Sequence, residues 1–125
     1  MEIPNFHDGY FDGLWVGPNK LVKIFLRTTD RQPFVLSLQG VQALTFTDIK
    51  QGNIVLDLVF RNTKGITHSD ISELYGVSAD SPQVVNLMES ATERGLQVLE
   101  INPSYGAQGL ALFQSWDISQ REVQP

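Results

Sequence analysis

Alternating apolar and polar positions in the first half of the chain predict a series of β-strands separated by polar turns. The alternation is clear over 21–27, 34–39, 41–47 and 54–61, as expected for strands with one buried face. Gly40, between two of these segments, allows a bend or a bulge. The side chains expected to line the core are Val22, Ile24, Leu26, Phe34, Leu36, Leu38, Ile54, Leu56, Leu58 and Phe60.

The period changes to that of a helix in the middle of the chain. Apolar spacing predicts a short helix over 71–75, with Asp70 at its N-terminal end. A longer helix is predicted over 82–94, because Ser81 suits an N-cap and Gly95 supplies a stop. Its apolar stripe runs from Val84 to Ala91 and is expected to cover the core.

The last third of the chain returns to strands, predicted over 96–101 and 109–118. The order of strands, then helix, then strands favours an α+β fold. We expect a mainly antiparallel sheet of five to seven strands, covered on one face by the helix at about 82–94. Residues 1–118 are predicted to form a single domain, followed by a polar tail over 119–125.

Some apolar side chains fall on the nominally polar sides of these strands, and they suggest a surface for a partner. Such a patch marks a partner surface or a homodimer interface more often than a catalytic site. The alternative is a curled sheet with both faces covered. The residues are Phe25, Val35, Val55, Val59 and Phe113.

Composition excludes some classes of function. The chain has no cysteine, so disulfides, thiolate metal sites and cysteine nucleophiles are excluded. Its formal net charge is −5, and its nine Lys and Arg residues are scattered, which argues against nucleic-acid binding. No signal peptide and no apolar run of membrane-spanning length is apparent. We therefore expect a cytoplasmic protein without membrane partners or cofactors.

The segment from His7 to Gly13 is the most unusual in the chain, because two Asp-Gly pairs lie beside a histidine. A metal site would use His7, Asp8 and Asp12, but their spacing matches neither a calcium loop nor a zinc motif. A turn at each Asp-Gly pair, with Tyr10 and Phe11 packing between them, is the favoured interpretation.

His68, Ser69 and Asp70 are the three residue types of a hydrolytic triad, but adjacent residues rarely converge as a triad requires. Ser69 or Asp70 as a helix cap is the simpler explanation. Gly106 and Gly109 lie between strands, so they are expected in a turn and a bulge rather than in a phosphate-binding loop.

No catalytic residue is predicted. Asp57 is a carboxylate inside a strand, where it could face a partner or simply solvent, and Tyr105 lies at a loop tip. The candidate binding residues are Tyr10, Trp15, Asp57 and Tyr105.

Short segments of the chain resemble small uncharacterised bacterial proteins, some of them immunity-like proteins of toxin–immunity systems. The matching segments are His7-Asp8-Gly9, Pro33–Val41, Gly52-Asn53-Ile54-Val55 and Ser104-Tyr105-Gly106. The resemblance implies a cytoplasmic binding protein without enzymatic activity, and it transfers no functional residue.

Three hypotheses for function follow. The leading one is a non-enzymatic interaction domain, immunity-like, whose partner is another protein such as a toxin, or a second copy of the chain. The second is a small-ligand carrier with a pocket between helix and sheet, lined by Leu87, Met88 and Trp116. The third is an enzyme that uses His7 or His68 with a nearby carboxylate.

Overall fold

The computed structural model describes residues 3–121 and contains eight strands in one antiparallel sheet with two α-helices. The α+β class is therefore confirmed, with more strands than expected. The elements are β1 (Tyr10–Val16), β2 (Val22–Arg27), β3 (Pro33–Gln39), β4 (Ala43–Thr47), β5 (Asn53–Arg61), α1 (His68–Tyr75), α2 (Pro82–Glu93), β6 (Gln97–Tyr105), β7 (Gln108–Phe113) and β8 (Ser115–Gln120). A 3₁₀ turn, Thr63–Gly65, precedes α1.

Two differences explain the higher strand count. β1 was not expected, because the Asp-Gly pairs before it and within it predict turns, and the segment over 109–118 is divided into β7 and β8 by Gln114. β8 also continues to Gln120, so Ser119 and Gln120, expected in the polar tail, pair with β3. Residues 122–125 of that tail lie outside the described residues.

The sheet folds on itself, with strand order β4-β7-β6-β5-β1-β2-β3-β8. β3 leads into β4 and β7 leads into β8, while β3 pairs with β8 and β4 pairs with β7. β4 and β8, the two ends of the strand order, are thereby connected, because β3 bends into β4 and β7 bends into β8. One half of the sheet, β1-β2-β3-β8, consequently faces the other half, β4-β7-β6-β5, across a common interior.

A bend at Gly40 makes this folding possible, as the sequence predicts. Gly40 has φ 65°, and a Cβ there would overlap the side chain of Gln114 on the neighbouring bent strand. Backbone bonds hold both sides of the corner: Gln114 N–H donates to Gln39 O at 2.9 Å, and Gln42 N–H donates to Leu112 O at 2.8 Å. Glycine is required here for its positive φ and for the close approach.

The inner core lies between the two halves. Most of the expected core residues of β2 and β3 are there, including Val22, Ile24, Leu26, Leu36 and Leu38, all almost fully buried. The buried members of this core are Phe6, Phe11, Val22, Ile24, Leu26, Leu36, Leu38, Val55, Leu99, Ile101, Ala107, Ala111 and Phe113.

The prediction for β5 is right for one end of the strand and wrong for the other. A bulge between Val55 and Asp57 shifts the register against β6, and one extra residue reverses which side chains face inward. Val55, expected outside, is therefore buried, whereas Ile54 and Leu56, both expected inside, are not buried, and Leu56 is 43% exposed. Beyond the bulge, Leu58 and Phe60 pack against the inner core as expected.

A similar change of inward face makes the prediction for 109–118 wrong. Leu110, Leu112, Trp116 and Ile118 were expected on one face, but Gln114 interrupts the alternation between β7 and β8. Leu110 and Leu112 consequently face the helices, while Trp116 and Ile118 pack on the inner core. Phe113, expected outside, is fully buried in that core.

The helices do not cover the inner core but form a second core on the outer side of β4, β6 and β7. Its buried members are Ile66, Ile71, Val84, Ala91, Leu96, Val98, Leu110 and Leu112. The predicted stripe on α2 is confirmed, but it packs on Val98, Leu110 and Leu112 rather than over the side chains of β2, β3 and β5. Within residues 3–121, no helix is long and apolar enough to cross a membrane.

α1 begins earlier than predicted. Thr67, rather than Ser69 or Asp70, is the N-cap: its side chain accepts from Asp70 N–H, and the Asp70 side chain accepts from Thr67 N–H. This reciprocal pair is a capping box. Gly76 ends the helix in the left-handed conformation.

Candidate interaction surface

A bulge in β1 creates the first element of the candidate surface. β1 pairs with β2 from Tyr10 opposite Arg27 to Val16 opposite Val22, and the register shifts between Phe11 and Gly13. The second Asp-Gly pair is thus a bulge and not a turn. The first pair does form a turn, in which Gly9 N–H donates to Phe6 O at 2.8 Å.

The bulge places Asp12 beside Arg27. Arg27 donates from Nε and from one terminal nitrogen to the two carboxylate oxygens of Asp12, at 2.6 and 2.8 Å. The guanidinium also lies 4.5 Å from the centre of the Tyr10 ring. These hydrogen bonds raise the pKa of Arg27 above its ordinary value, against the opposing effect of partial burial. Ring, cation and carboxylate therefore form one contiguous group on the outer side of the sheet.

Tyr105 belongs to the same row of side chains as Tyr10. Tyr10 lies opposite Ile54 on β5, and Ile54 lies opposite Tyr105 on β6. Because Phe11, Asn53 and Val55 are buried on the inner side, these three alternate residues point outward. Tyr105 is 51% exposed, and Lys50 Nζ lies 5.5 Å from the centre of its ring.

Trp15 continues the surface along β1. It lies opposite Lys23, whose Nζ is 5.5 Å from the centre of the indole ring, and it is 44% exposed. Phe25 of β2, opposite Val35 of β3, lies on the same side with the Arg121 guanidinium 5.0 Å from its ring centre. We call this surface the open face. It comprises Tyr10, Asp12, Trp15, Lys23, Phe25, Arg27, Val35, Lys50, Ile54, Tyr105 and Arg121.

Asn53 fixes the part of the open face that carries Lys50 and Tyr105. This amide is only 4% exposed. Its Oδ1 accepts from Lys50 N–H at 2.7 Å and from Ala107 N–H at 3.0 Å, and its Nδ2 donates to Lys50 O at 2.6 Å. One side chain thus joins the β4–β5 turn to the β6–β7 hairpin. Gly106, with φ 88°, passes so close that a Cβ there would overlap Asn53 Oδ1.

The metal-site candidates do not converge. Asp12 is bound to Arg27, while His7 Nε2 lies 3.4 Å from Asp8 Oδ2 and His7 Nδ1 lies 2.8 Å from Leu56 O. Among the residues that the structure describes, no group of three histidine or carboxylate side chains could hold a metal ion.

Asp57 is separate from the other candidate binding residues. It is exposed, accepts from Asn102 Nδ2 at 2.8 Å, and borders a groove of about 410 Å³ between the N-terminal segment and β5. The groove is lined by Ile3, Pro4, Asn5, Phe6, His7, Leu56, Asp57 and Leu58. Three of the four predicted binding residues therefore share the open face, and the fourth lies at this groove.

Of the residues of the possible triad, Asp70 is committed to structural contacts. Arg61 makes two bonds to the Asp70 carboxylate, at 2.6 and 2.8 Å, and one to Glu100 at 3.2 Å. Burial by itself would raise the pKa of Asp70, but hydrogen bonds from Arg61 and Thr67 outweigh it and lower that pKa below its ordinary value. Asp70 therefore serves the start of α1, while His68 and Ser69 are exposed on its first turn.

The side chains expected to line a ligand pocket lie in different parts of the molecule. Trp116 stacks on Phe60 in the inner core, with ring centres 4.7 Å apart. Leu87 and Met88 pack against the helix-side core instead. Gly106 is in the β6–β7 turn as expected, whereas Gly109 lies in β7, where its missing side chain admits the Phe46 ring.

The sequence does not identify Lys23, Arg27, Lys50 and Arg121 as members of this surface. They are far apart along the chain, and only the long-range pairing of the strands brings their neighbours together. The alternation of Lys23, Phe25 and Arg27 on one side of β2 was the available signal. Comparison with known proteins adds nothing to this assignment, since no protein-family model matches the chain and a search of curated proteins finds no match.

Proposed function

We propose that this protein is a non-enzymatic interaction domain that binds a partner protein through the open face. The observation that carries the proposal is the position of Tyr10, Trp15 and Tyr105, three aromatic side chains on an outer sheet surface. The helices pack over β4, β6 and β7 and leave this side uncovered. Tyrosine, tryptophan and arginine are the residues that most often dominate the binding energy of protein interfaces.

The chemistry of the remaining candidates supports binding over catalysis. Two of the candidate carboxylates hold arginines, since Asp12 binds Arg27 and Asp70 binds Arg61. Since the sequence resembles immunity-like bacterial proteins, we propose further that the partner is a toxin which this protein neutralises by binding.

A growth assay tests both parts of the proposal. The product of the gene beside the one encoding this chain is expressed with and without the wild-type protein, which is expected to restore growth. The double substitution Tyr10→Ala and Trp15→Ala should abolish this protection. Tyr75→Ala is the matched control, because Tyr75 is an exposed aromatic side chain on α1, away from the open face.

A direct binding measurement with the purified proteins separates the two parts. Binding of a partner that is lost in the double variant but kept by Tyr75→Ala supports an interaction domain, even where that partner is not toxic. Equal binding by all three proteins, with unchanged circular dichroism, would show that the open face is not the interface.

A further inference from the structure

Three cations of the open face contact aromatic rings, whereas Arg61 on the helix-covered side contacts carboxylates. Arg61, at the end of β5, contacts the carboxylates of Asp70 and Glu100. On the open face, Lys23, Lys50 and Arg121 lie over the rings of Trp15, Tyr105 and Phe25. Within residues 3–121, no carboxylate lies within ion-pair distance of these three cations.

Two carboxylates on the same outer side of the sheet are already engaged by other groups. Asp12 is taken by Arg27, and Asp117 on β8 accepts from Gln39 Nε2 at 2.7 Å. All of the cation–π contacts in the described part of the chain lie on this one face, at 4.5 to 5.5 Å from cation to ring centre. A ring holds each cation near the surface without neutralising its charge, so the cation remains able to bind an anion.

The opposite side of the molecule has the other sign. Glu73 on α1 and Glu89 and Glu93 on α2 are exposed, and the whole chain has a formal net charge of −5. The net negative charge of the chain therefore repels an acidic partner, whereas the cations of the open face attract it. Such asymmetry selects the orientation of docking as well as the partner, because like charges across an interface are costly.

We infer that the segment of the partner that docks on the open face is acidic, a stretch of protein bearing several carboxylates. This inference rests on the proposed function, and it adds the chemistry of the partner. Partner carboxylates would cap Lys23, Lys50 and Arg121 from the solvent side, while apolar partner atoms contact the exposed parts of Trp15 and Tyr105. Binding should weaken as salt is added, because these groups lie near solvent.

The test uses the full chain and a glutamate-rich peptide as the probe, followed by NMR of backbone amides. The peptide is expected to shift amides of β1, β2 and the β6–β7 hairpin, and the double substitution Lys23→Glu and Lys50→Glu should weaken its binding about tenfold or more. Lys64→Glu is the matched control, because Lys64 is an exposed lysine in the 3₁₀ turn beside the helices. A lysine-rich peptide should instead shift amides of α1 and α2.

Each other outcome overturns the inference. Shifts as large around Lys64 and Arg94 as around Lys23 would mean unselective attraction. Tighter binding of a single-stranded oligonucleotide to the open face would assign that surface to nucleic acid. Self-association that is lost in the double lysine variant would assign it to a second copy of the chain.

The identified partner then separates this inference from the proposed function. Suppose that the double substitution Tyr10→Ala and Trp15→Ala abolishes binding of the partner, while the double lysine variant binds it as tightly as wild type. This result refutes an acidic docking segment but still supports an interaction domain. Absence of binding by any neighbouring gene product, together with no local shifts from the peptide, refutes both.

Discussion

The two halves of the folded sheet are built from the same kind of strand and share one core, but their outer sides differ. In the half formed by β4, β7, β6 and β5, the outer side chains of Leu110 and Leu112 are covered by helices. In the half formed by β1, β2, β3 and β8, the outer side chains include Trp15 and Phe25, each beneath a cation. The first, the covered half, buries most of its apolar outer side beneath helices, but leaves Ile54 and Tyr105 on the open face. The second, the open half, has no helix over its outer side within residues 3–121.

The two arginines of these halves show the same contrast. Arg61 connects β5 to the start of α1 through Asp70, and the side chain of Asp70 is only 10% exposed. Arg27 and Asp12 form an ion pair of similar geometry, but each side chain is about a third exposed, at 32% and 31%. Because solvent screens exposed charges, the first pair should matter for stability and the second mainly for the shape of the surface.

The largest expected effect comes from the core that both halves share. Phe113→Ala removes a fully buried ring that contacts Phe60 edge to face within the inner core, and we expect the free energy of unfolding to fall by about 4 kcal/mol. Urea denaturation followed by tryptophan fluorescence measures this, since Trp116 lies in the same core.

Val84→Ala is the comparison for the helix-side core. Val84 is fully buried on α2, and the smaller side chain should cost about 2 kcal/mol. Hydrogen exchange should then accelerate first in α1 and α2, while β2 and β3 stay protected. A uniform acceleration throughout the chain would show that the two cores unfold as one unit.

Asn53 tests the part of the open face that carries Lys50 and Tyr105. Asn53→Leu keeps a side chain of similar size but removes the acceptor for Lys50 N–H and Ala107 N–H. Leaving these buried groups unpaired should lower the free energy of unfolding by about 3 kcal/mol, measured by thermal and urea denaturation.

The neighbouring glycine gives an independent check on Asn53. Gly106→Ala should also destabilise the protein, because a Cβ at this position overlaps Asn53 Oδ1 and the backbone has φ 88°. If Asn53→Leu is as stable as the wild type, the amide does not hold the hairpin as described.

Asp70 should make the stability of the covered half depend on pH. Its pKa is lower in the folded protein than its ordinary value, so the ionised form stabilises the fold. That contribution is complete above the ordinary aspartate pKa of about 3.9 and is lost as the pH falls through the folded pKa. Asp70→Asn should cost about 2 kcal/mol at neutral pH and remove this part of the acid dependence.

Denaturation curves from neutral to acid pH measure the effect of Asp70. Glu100→Gln is the control, because Glu100 makes a single bond to Arg61 at 3.2 Å and is more exposed than Asp70. It should change stability less. An Asp70→Asn variant whose stability falls as steeply with acid as the wild type would place the titrating group elsewhere.

Local patterns were sufficient to predict much of the covered and inner structure. The stripe of α2 from Val84 to Ala91, the stop at Gly95 and the bend at Gly40 follow from periodicity and from the conformational freedom of glycine. The strands β2 and β3 follow from strict alternation, and their inner residues are buried as expected. In these elements, local preference and tertiary packing agree.

Sequence reasoning failed where a single residue changes the register. The bulge at Leu56 and the break at Gln114 each reverse the inward side of a strand, and neither position carries a signal that distinguishes it from regular strand. The open face was missed as a unit for a related reason. Tyr10 and Tyr105 lie in one row only because β5 pairs with both β1 and β6. Such long-range pairing is not determined by turn length.

The smallest expected effect on stability is that of the open face itself. Asp12→Asn removes the charge that holds Arg27, but both side chains are near solvent, so the free energy of unfolding should fall by only about 0.5 kcal/mol. The difference should shrink further at high salt, because added ions screen an exposed pair. Paired urea denaturation curves of wild type and variant, at low and high salt, measure it. A loss as large as that of Asp70→Asn would mean that the open half depends on its surface ion pair for folding, and the contrast between the two halves would then fail.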